Sequence, residues 1–141
     1  ILTKKAVQGD NLTVFGGEQW RPLLHVKDVA DAITFGVDKD VRGLYNLSYK
    51  NFTILELAQT IQEEIPGVNI VESDISFEDM RNYKVKADRY AEKGWTPKWT
   101  LSDGIRELAV VMAEGRVKDP DNPVYSNFAF MKERAEEWTV S

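Results

Sequence analysis

The chain has 141 residues, 43% of them apolar, which is enough to build the core of one ordinary domain. Its 18 basic and 23 acidic side chains give a net charge of −5, which argues against nucleic-acid or anionic-membrane partners. The absence of cysteine excludes disulfides and thiolate metal sites and fits a reducing, cytoplasmic setting, and no apolar run approaches the ~18 residues of a membrane span.

The first predicted elements are a short helix and two extended segments. Residues 1–8 have the pattern of a helix end closed by Gly9, and this start predicts a chain cut from a longer protein. LTVFGG at 12–17 predicts a strand that runs into a turn. RPLLHV at 21–26 predicts extended backbone, because a proline disfavours helix in the residue before it.

A helix and a further strand are predicted next. Asp28 is a favourable N-cap residue for a helix over 29–36. The inner face of that helix is predicted to hold Val29, Ala32 and Ile33. GLYNLS at 43–48 predicts a short strand.

The clearest local pattern is a helix over 54–65. Thr53 and Glu56 form the sequence of a capping box, and Pro66-Gly67 stops the helix. Its buried stripe is predicted to contain Ile54, Ala58, Ile61 and Ile65.

The remaining elements complete an α/β pattern. NIVES at 69–73 predicts a strand, and residues 87–93 a short helix closed by Gly94. Thr100 and Asp103 cap a predicted helix that runs to Gly115, and a last helix is predicted from Ser126. Alternating helices and short strands predict a small mixed α/β domain.

Chemical motifs are mostly excluded. The sequence has no GxGxxG or Walker loop, and no tyrosine has a lysine four residues later, so no catalytic residue and no cofactor-binding residue is assigned. His25, Asp28 and Asp31 are spaced like helical metal ligands. No metal site is predicted, because His25 falls in the extended segment and Asp28 is expected to serve as a cap.

Two arginines remain as candidate binding residues. Arg21 follows a turn and a tryptophan, and Arg81 precedes the alternating residues Tyr83, Val85 and Ala87. On the residues alone, an ordinary surface or ion-pair role is the favoured explanation of each arginine. Alternatively, both point into one cleft, where two guanidinium groups grip a diphosphate through bidentate hydrogen bonds.

The stretch FGGEQWRPLLHVKDVADAI resembles a segment of the extended short-chain dehydrogenase/reductases, the NAD-dependent epimerase/dehydratases. The similarity continues in order through LYNL, TILELA, DMRNYKV, GWTP and LSDGIR, as far as about Gly115. It implies that residues 1–115 form the C-terminal substrate-binding region of such an enzyme, the nucleotide-sugar-binding lobe with part of the Rossmann edge. Residues 116–141 are then a tail with a short helix.

The resemblance also implies a binding site. The family's diphosphate-binding arginine falls on Arg21, the asparagine of its "YN" motif on Asn46, and the arginine of its "D.R.Y" motif on Arg81. Backbone groups of the strand before the turn hold the base in relatives. Those residues are Thr13, Val14 and Phe15.

The implied activity belongs to a full-length parent. That parent would be a nucleotide-sugar epimerase, dehydratase or reductase, with NAD or NADP bound by an N-terminal Rossmann domain that this chain lacks, and a homodimer. Pro22 stands where sugar 4,6-dehydratases and galactose epimerases carry aspartate, so the subfamily stays open. Two alternatives remain: a stand-alone sugar-nucleotide-binding module without catalysis, and a structural or interaction domain.

Overall fold

The computed structural model describes residues 1–73 and 81–138. Within them, short strands and helices alternate, which confirms the predicted mixed α/β class. The strands are β1 (Leu12–Phe15), β2 (Trp20–Leu23), β3 (Lys50–Thr53) and β4 (Ile70–Ser73). The helices are α1 (Leu2–Val7), α2 (Val26–Asp38), α3 (Ile54–Glu64), α4 (Asp88–Ala91), α5 (Leu101–Ala113) and α6 (Asn127–Trp138), with a 3-10 turn at Pro123–Tyr125.

The described strands form two separate pairs. β1 and β4 are parallel, with Leu12 opposite Ile70. β2 and β3 are antiparallel, with Arg21 opposite Phe52. The turn between β1 and β2 therefore joins the two pairs.

That turn is fixed by the N-terminus of α3. The amides of Ile54 and Leu55 donate to the carbonyl oxygens of Gln19 and Gly17, each over 3.0 Å. The predicted capping box supplies the neighbouring bonds between Thr53 and Glu56. The amide groups that a helix start leaves without helical partners thus bind the turn and the cap.

The main core lies between α3, α5, α1 and the β1–β4 pair. Its buried members are Ala6, Leu12, Val14, Ala58, Ile61, Val68 and Ile105. Ala58 and Ile61 are buried, and Ile54 and Ile65 pack against the cluster. The predicted stripe of the helix over 54–65 is therefore confirmed, as is the capping box that starts it.

The start of α2 differs from the prediction. The helix begins at Val26 with His25 as its N-cap, and His25 Nδ1 accepts from the Lys27 amide over 3.1 Å. Asp28 lies within the first turn and is completely buried, because its carboxylate has partners elsewhere in the fold. The helix also continues past Gly36 to Asp38.

The predicted inner face of α2 is only partly correct. Ala32 is buried against Tyr90 and Trp95, but Ile33 is 62% exposed. Ile33 belongs to an apolar stripe on the opposite side of the helix, at the i, i+7 and i+11 spacing of one helical face. The stripe, called the α2 apolar face below, consists of Val26, Ile33 and Val37.

The strand predicted over 43–48 does not form. This segment belongs to no ladder among the described residues, because no strand lies beside it to supply hydrogen bonds. Leu44 is 87% exposed, close to the α2 apolar face. Residues 50–53, just beyond the predicted strand, form β3 instead.

The other predicted elements are found with small shifts at their ends. The strands over 12–15 and 70–73, the short helix α4, the capped helix α5 and the last helix α6 are all present. The tail contacts the first helix, since Lys4 Nζ lies 2.6 Å from a carboxylate oxygen of Asp121. The division of the chain at residue 115 stays a prediction.

The cap of α5 leads to a pH prediction. Hydrogen bonds from Thr100, and then from Arg106, lower the pKa of Asp103 from 3.8 to about 2. The folded state therefore gains stability above the ordinary pKa of an aspartate, and loses it as the pH falls through the folded value. Carboxyl-carbon NMR of the folded chain should give a midpoint near 2 for Asp103. A midpoint near ~3.9 would show that the cap is not formed in solution.

Candidate functional site

Arg21 is half-buried on β2, and its guanidinium group is fixed by carbonyl oxygens. Nη1 donates to the carbonyl oxygen of Trp20 over 2.9 Å and also to the carbonyl oxygen of Arg81. Nη2 donates to Gln19 Oε1 over 2.8 Å. These three carbonyl oxygens therefore hold the group in one orientation.

The segment over 81–85 lies against the β2–β3 pair. The Trp20 amide donates to Asn82 Oδ1 over 3.0 Å, and Asn51 bonds to both backbone groups of Val85. Lys84 Nζ lies 3.4 Å from the centroid of the Trp20 ring, a cation–π contact. Backbone and side-chain bonds thus bring Arg81 beside Arg21.

Three basic residues lie at this contact. Arg21 is fixed on β2, the Arg81 backbone accepts a hydrogen bond from it, and Lys84 lies over the Trp20 ring. Planar guanidinium groups suit phosphate oxygens in particular, because they can form two parallel hydrogen bonds.

β1 holds the three residues for which backbone contacts to a base were expected. Val14 is buried, and Thr13 and Phe15 are half-buried. The Leu12 amide donates to Asn69, on the side of β4. Because peptide groups alternate along a strand, those of Thr13 point to the opposite edge of β1, where the described residues place no strand.

Asn46 is exposed on the segment over 43–48. No hydrogen bond or ion pair joins it to the other five candidates, or to any other residue, in the described part of the chain. Asp79 and Met80 of the DMRNYKV motif lie outside the described residues. The structure thus connects Arg21 and Arg81 directly and places β1 one turn away from Arg21.

The three residues with metal-ligand spacing have other partners. His25 caps α2 and stacks on Trp99 at 5.2 Å between ring centroids. Asp31 accepts from Trp95 Nε1 over 2.8 Å. Asp28 binds the amides of Lys98 and Trp99, so each side chain is engaged in packing the 95–99 segment onto α2 or capping that helix.

The Asp28 contacts give a stability prediction. Its two carboxylate oxygens accept from the Lys98 and Trp99 amides over 2.9 and 3.1 Å. Asp28→Asn would place an NH2 group against one of these amides, so we expect a loss of about 1–3 kcal/mol in the free energy of unfolding. Urea denaturation measures it. Asp38→Asn, at the exposed end of α2, is the control and should change stability by less than ~0.5 kcal/mol. Equal effects of the two variants would contradict the role of Asp28.

Sequence reasoning missed the residue that orients Arg21 and the residue that holds the backbone after Arg81. Gln19 and Asn51 are polar side chains next to a turn and on a strand, where they are common for many reasons. Neither shows a sequence signal that distinguishes it from a surface residue. Their partners, Arg21 and Val85, become evident only in the folded chain.

The residues of the glycine turn do not fit a dinucleotide. In dinucleotide-binding folds the glycine loop joins a strand to a helix, whose N-terminus faces the pyrophosphate. Here Gly16 and Gly17 join two strands, and the nearby start of α3 already binds carbonyl groups of the turn.

No helix of the described residues is both long and apolar enough to cross a membrane.

Comparisons with known proteins relate the chain to the NAD-dependent epimerase/dehydratases. Residues 1–48 match the profile of the NAD dependent epimerase/dehydratase family. A putative GDP-L-fucose synthase 2 from Arabidopsis thaliana is 32% identical over 108 residues, which are 73% of this chain and 33% of that protein. GDP-L-fucose synthase 1 of the same plant is 33% identical over 103 residues, 70% of this chain and 32% of that protein. The chain thus spans about a third of the length of these curated relatives.

Solved structures agree on the fold. A UDP-glucose 4-epimerase from Thermotoga maritima, solved with UDP-glucose, superimposes with a TM-score of 0.68 at 21% identity, over 82% of this chain and 38% of the epimerase. A UDP-N-acetylglucosamine 4-epimerase from Bacillus cereus gives a TM-score of 0.70 at 19% identity, over 79% and 41% of the two chains. The motifs, the fold and these matches together lead to one conclusion. The chain belongs to the NAD-dependent epimerase/dehydratase family, the extended short-chain dehydrogenase/reductases.

Proposed function

We propose that this chain is the sugar-nucleotide-binding lobe of an NAD(P)-dependent epimerase, dehydratase or reductase, and that its role is to hold the nucleoside diphosphate. The observation that carries the proposal is the fixed guanidinium group of Arg21, oriented by three carbonyl oxygens and in contact with Arg81. A solvated surface arginine has no need of such fixation. A preoriented cation loses less side-chain entropy when it binds phosphate oxygens.

In this proposal the site has three parts. Arg21 and Arg81 bind the two phosphates through charge-assisted hydrogen bonds. The peptide groups of Thr13 pair with the edge of the base, since they lie on the edge of β1 that faces away from β4, whereas those of Val14 face β4. Asn46 is proposed to complete the site when a further part of the enzyme closes over it.

The chemical step belongs to a part that this chain does not contain. Bound NAD(P) supplies hydride acceptance and return in enzymes of this kind, with a tyrosinate as base. The glycine turn here does not fit that cofactor, so the residues of this chain only bind and orient the substrate. A dinucleotide-binding domain is proposed to cover the α2 apolar face and Leu44, and the parent is proposed to be a homodimer.

Calorimetric titration of the chain tests the proposal. UDP or GDP should bind at least about tenfold more tightly than uridine or guanosine, since charge-assisted bonds to phosphate contribute ~1.5–3 kcal/mol each. NAD+ should show no comparable affinity. Equal affinity for nucleotide and nucleoside would contradict diphosphate binding. Micromolar affinity for NAD+ would contradict the proposal that another part of the enzyme binds the cofactor.

The same titration separates the alternatives. A stand-alone binding module is favoured by one observation: the Arg21 guanidinium is oriented although the glycine loop and the catalytic pair are absent from the sequence. Such a module would bind a sugar nucleotide tightly without any added protein. A purely structural domain would bind none of the four compounds.

A further inference from the structure

We propose that Asn51 is a positioning residue for the diphosphate site, because its amide fixes the segment that carries Arg81. The inference rests on the proposed function and adds a residue to it. Asn51 itself would not touch the phosphates. It acts by holding the backbone over 81–85 on β3, so that Arg81 stays beside Arg21.

The contact is a two-way hydrogen bond between a side chain and a peptide strand. Asn51 Nδ2 donates to the Val85 carbonyl oxygen over 3.0 Å, and the Val85 amide donates to Asn51 Oδ1 over 2.8 Å. The side-chain amide of Asn51 thus bonds to both the N–H and the C=O of Val85, as the backbone of a neighbouring strand would. The bonds are partly buried and link positions 34 residues apart.

Asn51 lies at the right place to set the geometry of Arg21 as well. It pairs with Pro22, the residue after Arg21, in the β2–β3 register. The segment over 81–85 is attached to this strand pair at its start by Arg21 and Trp20, and at its end by Asn51. Both arginines therefore depend on one two-stranded platform.

Removing one end of this attachment should loosen the other. Residues 81 and 85 are four positions apart, so they are at most ~14 Å apart in an extended chain. With Val85 released, the backbone at Arg81 gains conformational freedom. Ligand binding must then order this backbone again, which costs conformational entropy and weakens the affinity. Without Asn51, the Arg81 side chain keeps its charge, but the backbone that carries it is less firmly held.

Hydrogen exchange tests the contact without any ligand. In Asn51→Ala the Val85 amide should exchange about tenfold faster by NMR, the equivalent of one hydrogen bond, whereas the buried helix amides around Ile61 should keep their rates. Asn51→Asp retains the acceptor for the Val85 amide and loses the donor. The exchange rate of that amide should therefore lie between those of the wild type and Asn51→Ala. Unchanged exchange at Val85 in Asn51→Ala would overturn the proposal.

Binding tests the positioning role. Asn51→Ala should weaken UDP or GDP binding by roughly three- to tenfold and leave uridine or guanosine unchanged, a split that general destabilisation would not produce. Arg81→Ala should cost less affinity in the Asn51→Ala background than in the wild type, because the two act as a unit. Asn69→Ala, at an exposed asparagine, is the control and should match the wild type.

The two proposals fail in different ways. If Arg21→Ala leaves diphosphate affinity unchanged, the proposed function is wrong. If Arg21→Ala weakens binding and Asn51→Ala does not, diphosphate binding stands and the positioning role of Asn51 is wrong. Additive losses in the Asn51 and Arg81 double variant would also reject the positioning role.

Discussion

Arg21→Ala should weaken the binding of UDP or GDP by roughly ten- to a hundredfold, with little effect on uridine or guanosine. The variant removes a charged, bidentate donor that three carbonyl oxygens hold in place. It also releases the Arg81 carbonyl oxygen, so the second arginine loses a contact. Calorimetric titration of nucleotide and nucleoside gives the two affinities whose ratio matters.

Arg21→Lys separates charge from geometry. A lysine keeps the attraction but lacks the planar fork, so it should recover only part of the lost affinity. Arg116→Ala is the control, since Arg116 is exposed and lies 3.9 Å from Glu114 at the end of α5. If the affinity of Arg21→Ala and of Arg81→Ala for UDP or GDP each stays within about twofold of the wild type, the loss of binding free energy is below ~0.5 kcal/mol. The two arginines would then make ordinary surface contacts.

Ile61→Ala is expected to give the largest loss of stability. Ile61 is 1% exposed in the middle of the main core, so truncation removes buried apolar contacts and leaves a cavity. Comparable truncations cost about 2–5 kcal/mol. In a domain of this size that corresponds to a fall of roughly 10 °C in the melting temperature, measured by circular dichroism.

Gln59→Ala provides the matched control on the same helix. Gln59 is exposed on the outer face of α3, and alanine is a good helix former there. Its melting temperature should stay close to that of the wild type. A melting temperature of Ile61→Ala within error of Gln59→Ala would mean that α3 does not pack as described.

The elements that could be predicted from sequence are those whose information is local. α3 and α5 each begin with a capping box, in which all the hydrogen-bonding groups lie within four residues. The apolar stripe of α3 follows from its helical period alone. For such helices the local sequence already favours the observed start and the observed buried face, and tertiary contacts do not change either.

The errors concern residues whose partners are distant in sequence. Asp28 has the right chemistry for a cap, but its carboxylate binds amides about 70 positions away, and His25 takes the capping role. The segment over 43–48 has the composition of a strand but no neighbouring strand in the described part of the chain. A strand is a property of a pair, and one sequence segment cannot supply its partner.

The candidate site shows the same limit. The motif around Arg21 and that around Arg81 could each be recognised by resemblance, yet nothing in the spacing of the two motifs says that their residues meet. The contact between Arg21 and the Arg81 backbone is seen in the folded chain. Their joint role in binding a diphosphate stays a prediction until it is measured.

The glycine turn before β2 also constrains how this protein can vary. Gly16 has a φ of +59°, and a Cβ placed there would lie 3.0 Å from the Gln19 side chain, the group that orients Arg21. A larger residue at position 16 would therefore displace Gln19 and disturb Arg21 at a distance, in addition to straining the backbone. Substitutions at positions 16 and 19 should be tolerated together more readily than singly. A residue without a side chain would thereby influence the proposed diphosphate site, and mutational scanning of the pair would reveal this coupling as epistasis.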